Sequence, residues 1–132
     1  MVHGEIAPLL ADDAPLVIAK SLGTFAAPLA AERGLRAIWI TPLLNEPAVV
    51  DGLRRATSPF LLVGGSADPT WDGPLARTLS PHVCEIDGGN HGLHVPGPLA
   101  ASTSALGLVV TAVERFLDET VWPGQQGPAT TV

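Results

Sequence analysis

The sequence predicts an open parallel α/β sheet of about four strands, in a three-layer arrangement with crossover helices. Four short apolar runs recur along the chain, and none alternates apolar with polar residues, which is typical of strands covered on both faces. These runs are Pro15–Ala19, Arg36–Ile40, Phe60–Val63 and His82–Ile86. Helical patterns separate the runs, so the order β-α-β-α-β-α-β-α indicates parallel strands joined by right-handed crossovers.

The helical segments carry their own start and stop signals. Pro47–Arg55 and Pro74–Leu79 both begin with proline, which the first turn of a helix tolerates. Pro28 stands inside the segment Gly23–Arg33, and we expect a kink or an early end there because proline breaks helices. The last helix, Leu99–Glu119, has apolar residues spaced for a single stripe. They are Leu106, Val109, Val110, Val113 and Leu117.

Length and composition limit the classes of function. A chain of 132 residues fits one domain, which we place over residues 1–122, followed by a flexible polar tail over residues 123–132. The formal charge of −6 disfavours a nucleic-acid partner, and the single cysteine excludes a disulfide framework. The longest apolar stretch, Ala105–Val113, is far shorter than a span of about 18 residues. We therefore predict a cytoplasmic protein without a membrane partner.

Polar side chains follow three of the predicted strands at the point where each strand ends. Ser21 follows the first apolar run, Asp68 the third and His91 the fourth. Because parallel strands all point the same way, the loops after them meet at one edge of the sheet, where ligands bind. A nucleophilic hydrolase needs a hydroxyl, a base that takes its proton and an acid that orients the base. The three side chains match that requirement.

The segment around Ser21 has the pattern of a nucleophile elbow. It consists of Ala19-Lys20-Ser21-Leu22-Gly23 and stands between a strand and a helix, the context that a G-x-S-x-G elbow needs. Ala19 replaces the first glycine and is small enough for the sharp turn. At the start of the helix, the backbone N–H of Leu22 can stabilise an oxyanion.

Together these motifs resemble the α/β-hydrolase family, in particular its small, lidless, dienelactone-hydrolase-like members. The matching pieces are Ala-Lys-Ser21-Leu-Gly-Thr, Gly-Gly-Ser-Ala-Asp68-Pro and Gly-Gly-Asn-His91-Gly, in the family's order of Ser, Asp and His. The resemblance covers residues 15–117 and only the C-terminal half of the family's fold, whose sheet has further strands before the nucleophile strand. It therefore implies a truncated α/β-hydrolase fold with half of the oxyanion hole.

The resemblance also implies an activity, namely cleavage of a small ester, thioester or lactone without a metal or an organic cofactor. Ser21 would attack the carbonyl carbon, His91 would take and return the proton, and Asp68 would hold the imidazole. The N–H of Leu22 would bind the oxyanion. Apolar side chains close to these loops are the candidate walls of the substrate pocket. They are Trp71, Leu43, Leu44 and Leu93.

Three alternatives stay open at this point. His94 is a second candidate base, although the glycines and asparagine before His91 favour His91. A zinc site is disfavoured because one of its ligands, Cys84, lies inside a predicted strand; its full set would be His82, Cys84, His91 and His94. The alternative from another functional class is a non-catalytic, truncated hydrolase-like module for binding or assembly.

The first strand predicts assembly. Pro15–Ala19 is apolar on both faces, yet it lies at an edge of the predicted sheet, where its backbone donors and acceptors lack partners. The preceding segment Glu5–Leu10 contains Pro8 and is too short to replace several strands. We therefore expect a homodimer, or a partner chain bound at Pro15–Ala19, in addition to a small-molecule substrate.

Overall fold

The computed structural model describes residues 15–123, and a four-stranded parallel sheet forms their centre. The strands lie side by side in the order in which they occur along the chain, and each pairs in parallel with the next. They are β1 Leu16–Lys20, β2 Arg36–Ile40, β3 Phe60–Gly65 and β4 His82–Ile86. The predicted fold class, an open parallel α/β sheet, is confirmed.

Helices connect the strands and end the described part of the chain. In order they are a 3₁₀ helix at Ser21–Ala26, α1 at Ala27–Arg33, α2 at Pro47–Arg55, α3 at Gly73–Leu79, α4 at Leu99–Phe116 and a π-helical turn at Leu117–Val121. The break expected at Pro28 lies one residue earlier, where the 3₁₀ helix gives way to α1. Pro28 occupies the first turn of α1, where a missing N–H costs no intrahelical hydrogen bond.

Helices lie on both faces of the sheet, which explains why its central strands, β2 and β3, are mostly apolar. On one face, Trp39 and Leu62 pack beneath α1, α2 and α3. On the other face, Ile38 and Val63 pack beneath α4. Neighbouring residues of a strand point to opposite faces, so each strand contributes to both layers of the core.

The apolar stripe predicted for α4 is only partly correct. Val109 packs on the sheet, together with Ala105 and Phe116, but Leu106 and Val110 are 59% and 58% exposed. The reason is the position of the helix, which lies over β3 and β4 and leaves its β1-facing side uncovered by residues 15–123. Ile18 on β1 is 51% exposed as well.

The predictions about the tail, the segment Glu5–Leu10, the location and the lack of a membrane partner are not tested by residues 15–123. Most of the predicted tail, residues 124–132, and the segment Glu5–Leu10 lie outside the described residues. The helical stretch Leu99–Val121 has 23 residues and is long and apolar enough to cross a membrane by length and composition. Core helices of soluble proteins meet the same criterion but are mostly buried, whereas only 17% of the apolar window in this stretch is buried. The cytoplasmic location and the lack of a membrane partner remain predictions.

Candidate active site

The backbone turns sharply at Ser21, the first residue after β1. Ser21 has a φ of 52°, in the left-handed region that residues with a side chain rarely adopt. The turn brings the 3₁₀ helix close to the strand it follows: a Cβ added at Gly23 would lie 3.1 Å from the Cβ of Ala19. The two positions are therefore tightly packed, which favours small residues at both and gives a physical basis for the small-x-Ser-x-Gly pattern.

A continuous chain of hydrogen bonds joins Ser21, His91 and Asp68. The Oγ of Ser21 lies 2.8 Å from Nε2 of His91, and Nδ1 of His91 lies 2.6 Å from Oδ2 of Asp68. An ionised carboxylate can only accept, so Nδ1 carries the proton facing Asp68. In the neutral ring Nε2 is then free to accept the Ser21 hydroxyl proton, which is the tautomer that a general base requires.

The Asp68 carboxylate is buried and remains ionised through its hydrogen bonds. Its side chain has no solvent-exposed surface, whereas the His91 side chain is 41% exposed. Burial by itself raises the pKa of Asp68. Hydrogen bonds from the backbone N–H of Thr70, from His91 and from the Thr70 hydroxyl outweigh burial and lower the pKa below its ordinary value. A carboxylate held in this way can orient the imidazole across the neutral pH range.

Two glycines at the end of β3 allow the acid loop to pack closely. The space that a Cβ of Gly64 would occupy is filled by the indole ring of Trp71, and that of Gly65 by the backbone carbonyl of Gly89. Trp71 is fixed in turn, because its Nε1–H donates to Oε1 of Glu85 over 2.8 Å. The glycines thus bring the loop that holds the acid against the loop that holds the histidine.

Asn90 shapes the loop that carries His91. Its Oδ1 accepts hydrogen bonds from the backbone N–H of Gly92, over 2.9 Å, and of His94, over 3.0 Å. Leu93 adopts a φ of 64° within the same turn. His91 lies at the tip of this turn and its ring is hydrogen-bonded to Ser21, while His94 is exposed and its side chain forms no hydrogen bond with Ser21, His91 or Asp68.

Two threonines support the site, and the sequence analysis missed both. Thr24 is fully buried; its hydroxyl donates to the Ser21 carbonyl over 2.6 Å and accepts from the Leu43 N–H over 3.2 Å. Thr70 donates to Asp68 from both its N–H and its hydroxyl. The only sequence signal for either was a hydroxyl residue two or three positions after a candidate catalytic residue.

The predicted substrate walls lie in different environments. Leu43, Leu44 and Trp71 are at most 9% exposed and belong to the core between the sheet and α1–α3. Leu44 and Trp71 also border a cleft of about 460 Å³ behind the acid loop. Leu93 lines a separate cleft of about 400 Å³ beside α4. The role of all four in substrate binding remains a prediction.

The zinc alternative finds no support in the arrangement of the side chains. Within residues 15–123, no group of three or more His, Cys, Asp or Glu residues is placed to hold a metal ion. His82 packs edge-on against the ring of Phe116, with ring centres 5.1 Å apart. Burial raises the pKa of the Cys84 thiol, which disfavours the thiolate that zinc would need.

Comparisons with known proteins add no family assignment. A scan of the sequence against protein-family models and a search of curated proteins both find no match. The geometry of the site is therefore the basis for its proposed chemistry.

Proposed function

We propose that the protein is a serine hydrolase that cleaves a small ester, thioester or lactone, as its resemblance to the α/β-hydrolase family implies. One observation carries the proposal, namely the unbroken hydrogen-bond chain from Ser21 through His91 to Asp68. A serine at a positive φ is a second support, since such strain is concentrated at functional sites.

In the first half of the proposed reaction, Ser21 Oγ attacks the carbonyl carbon of the substrate while its proton moves to Nε2 of His91. Asp68 accepts the hydrogen bond from Nδ1 and stabilises the imidazolium that forms. The tetrahedral intermediate then collapses: the bond to the leaving group breaks, and that group takes the proton from Nε2. The product of this half is an acyl group bound to Ser21.

In the second half, water replaces the leaving group. His91 removes a proton from the water, the resulting hydroxide attacks the acyl carbon, and the proton returns to Ser21 as the acid product departs. The backbone N–H of Leu22, in the first turn of the 3₁₀ helix, is the proposed donor to the oxyanion in both halves.

A fluorophosphonate probe tests the proposal directly, because it reacts with activated serines. The intact chain should be labelled at Ser21, as mapped by peptide mass spectrometry, and Ser21→Ala should not be labelled. Ser104→Ala is the matched control, since Ser104 is exposed on α4 and has no role in the proposed chemistry. A folded chain that is labelled elsewhere, or not at all, contradicts the proposal.

The alternative is a non-catalytic module for binding or assembly. It is favoured by one observation: β1 is an edge strand of the described sheet, and Ile18 at its centre is 51% exposed. The labelling experiment separates the two functions. An unreactive Ser21 in a chain that forms a stable complex supports the assembly module.

A further inference from the structure

A cleft of about 400 Å³ lies beside the Ser21–His91 pair, on the α4 side of the sheet. Two of its lining residues, Lys20 and Gly92, are the chain neighbours of Ser21 and His91. Ser21 and His91 do not themselves line the cleft, but its end at Lys20 and Gly92 lies next to them along the chain. Its volume lies at the lower end of the range of about 300–1,000 Å³ that is usual for small-molecule sites.

The lining of the cleft is mostly apolar and contains no carboxylate. The residues that matter here are Lys20, Ile40, Leu93, Leu99, Leu106 and Val109. The leucines and valine of α4 follow helical spacing, so the cleft runs along about two to three turns of that helix, which is about 15 Å. Lys20 shares the face of β1 that carries Leu16 and Ile18, and it stands at the end nearest Ser21.

We propose that this cleft binds the hydrocarbon chain of the substrate's acyl group and makes the protein selective for acyl chains of medium length. The inference rests on the proposed hydrolase function and deepens it. The acyl group is bonded to Ser21 from the attack on the carbonyl carbon until water releases it, so an apolar cleft next to Ser21 can hold its hydrocarbon chain. The leaving group departs on the side of His91, whose side chain is 41% exposed.

In this proposal, the exposed leucines of α4 contact the acyl chain. Leu99 and Leu106 are 83% and 59% exposed, which is unusual for large apolar side chains unless they contact a partner or a ligand. An acyl chain lying in the cleft covers part of both. Each methylene that becomes fully buried should raise kcat/KM about fourfold, up to the length that the cleft accommodates.

The test is a series of p-nitrophenyl esters, from acetate through butyrate and hexanoate to octanoate, hydrolysed by the full chain. We expect kcat/KM to rise with chain length. In Leu106→Ser the ratio of hexanoate to acetate should fall about fivefold, because roughly half of a leucine's apolar contact is removed. In Thr103→Phe a new ring fills the cleft, and the preferred ester should become shorter.

Leu108→Ser is the matched control. Leu108 is 62% exposed on the same helix but lies outside the cleft, so the ratio should be unchanged. If hydrolysis depends on Ser21 but the ratio of kcat/KM for hexanoate to acetate is the same in the wild type and in all three variants, the acyl-chain proposal is wrong. The hydrolase proposal is unaffected by that result. If no hydrolysis depends on Ser21 and the fluorophosphonate probe fails to label it, both proposals are wrong.

Discussion

Thr70 donates two hydrogen bonds to one oxygen of Asp68 and leaves the other oxygen to His91. Its N–H and its hydroxyl each lie 2.8 Å from Oδ1, while Oδ2 lies 2.6 Å from Nδ1 of His91. The carboxylate is thereby held in one orientation. The orientation of the imidazole, and so the direction in which Nε2 faces Ser21, depends on this contact.

Thr70→Val tests this positioning role, because valine has the same shape but lacks the hydroxyl. Loss of a hydrogen bond to a charged group should lower kcat for p-nitrophenyl acetate about tenfold. KM should change little, since Thr70 does not line the 400 Å³ cleft proposed for the acyl chain. Thr70→Ser should restore most of kcat, and an unaltered kcat in Thr70→Val would show that the backbone N–H alone is sufficient.

The lowered pKa of Asp68 predicts how stability depends on pH. The folded protein binds a proton at Asp68 less readily than the unfolded chain does. The resulting stabilisation is fully present above the unfolded pKa, at about pH 4, and is lost as the pH falls through the lower pKa of the folded state. Urea unfolding between pH 7 and pH 3 measures it. Asp68→Asn should show a weaker dependence on pH over the acid range, and an identical dependence would contradict the prediction.

His91 and His94 can be separated by single substitutions. His91→Ala should lower any Ser21-dependent hydrolysis by about ten-thousandfold, because members of a triad act as a unit. His94→Ala should have a far smaller effect on this acetate ester, since the exposed His94 side chain lines the 400 Å³ cleft but forms no hydrogen bond with Ser21 or Asp68. Rates of p-nitrophenyl acetate hydrolysis decide between them, and the opposite result would place the base three residues later in the chain.

The parallel sheet was predictable because strands buried on both faces appear in the sequence as short, nearly continuous apolar runs. β2, for example, spans Arg36–Ile40 in both the prediction and the structure. The candidate site could be located for a related reason: parallel strands end at one edge, so Ser21, Asp68 and His91 had to follow strand ends. The distances among them, which depend on how the loops pack, could not be derived from the sequence.

Other features depend on contacts that no local pattern encodes. Leu106 and Val109 look equivalent in the sequence, but only Val109 is buried, because α4 lies over β3 and β4 and not over β1. Thr24 likewise resembles an ordinary helix residue. Its role becomes visible only when the loop after β2 places the Leu43 N–H against its hydroxyl.

Replacing either of two glycines with alanine should change the free energy of unfolding in opposite directions. Gly64→Ala places its Cβ in the ring of Trp71, and overpacking of this kind should cost about 1–3 kcal/mol of the free energy of unfolding. Gly107→Ala has open space around the new Cβ in the middle of α4 and should gain about 0.5–1 kcal/mol from helix propensity. Thermal unfolding of both variants measures the contrast, and equal stabilities would disprove the tight Gly64–Trp71 packing.

Within residues 15–123, β1 pairs with another strand on one side only, and this edge predicts self-association. We expect the chain to form a homodimer, or a complex with a partner chain, through backbone hydrogen bonds at Pro15–Ala19. Light scattering after size exclusion should then give a mass of at least twice 13.6 kDa. Ile18→Lys should shift the protein to the monomer, whereas Leu108→Lys, which also adds a charge at an exposed apolar site, should not. A wild-type monomer at micromolar concentration excludes this assembly.

The left-handed backbone at Ser21 lowers the stability of the fold, while the proposed reaction requires a serine hydroxyl at the same position. A side chain at a φ of 52° costs about 1 kcal/mol or more, a cost that glycine largely avoids. Ser21→Gly would therefore relieve the strain and delete the proposed nucleophile in the same step. The backbone strain at Ser21 is therefore a cost that the proposed chemistry accounts for and that folding alone does not.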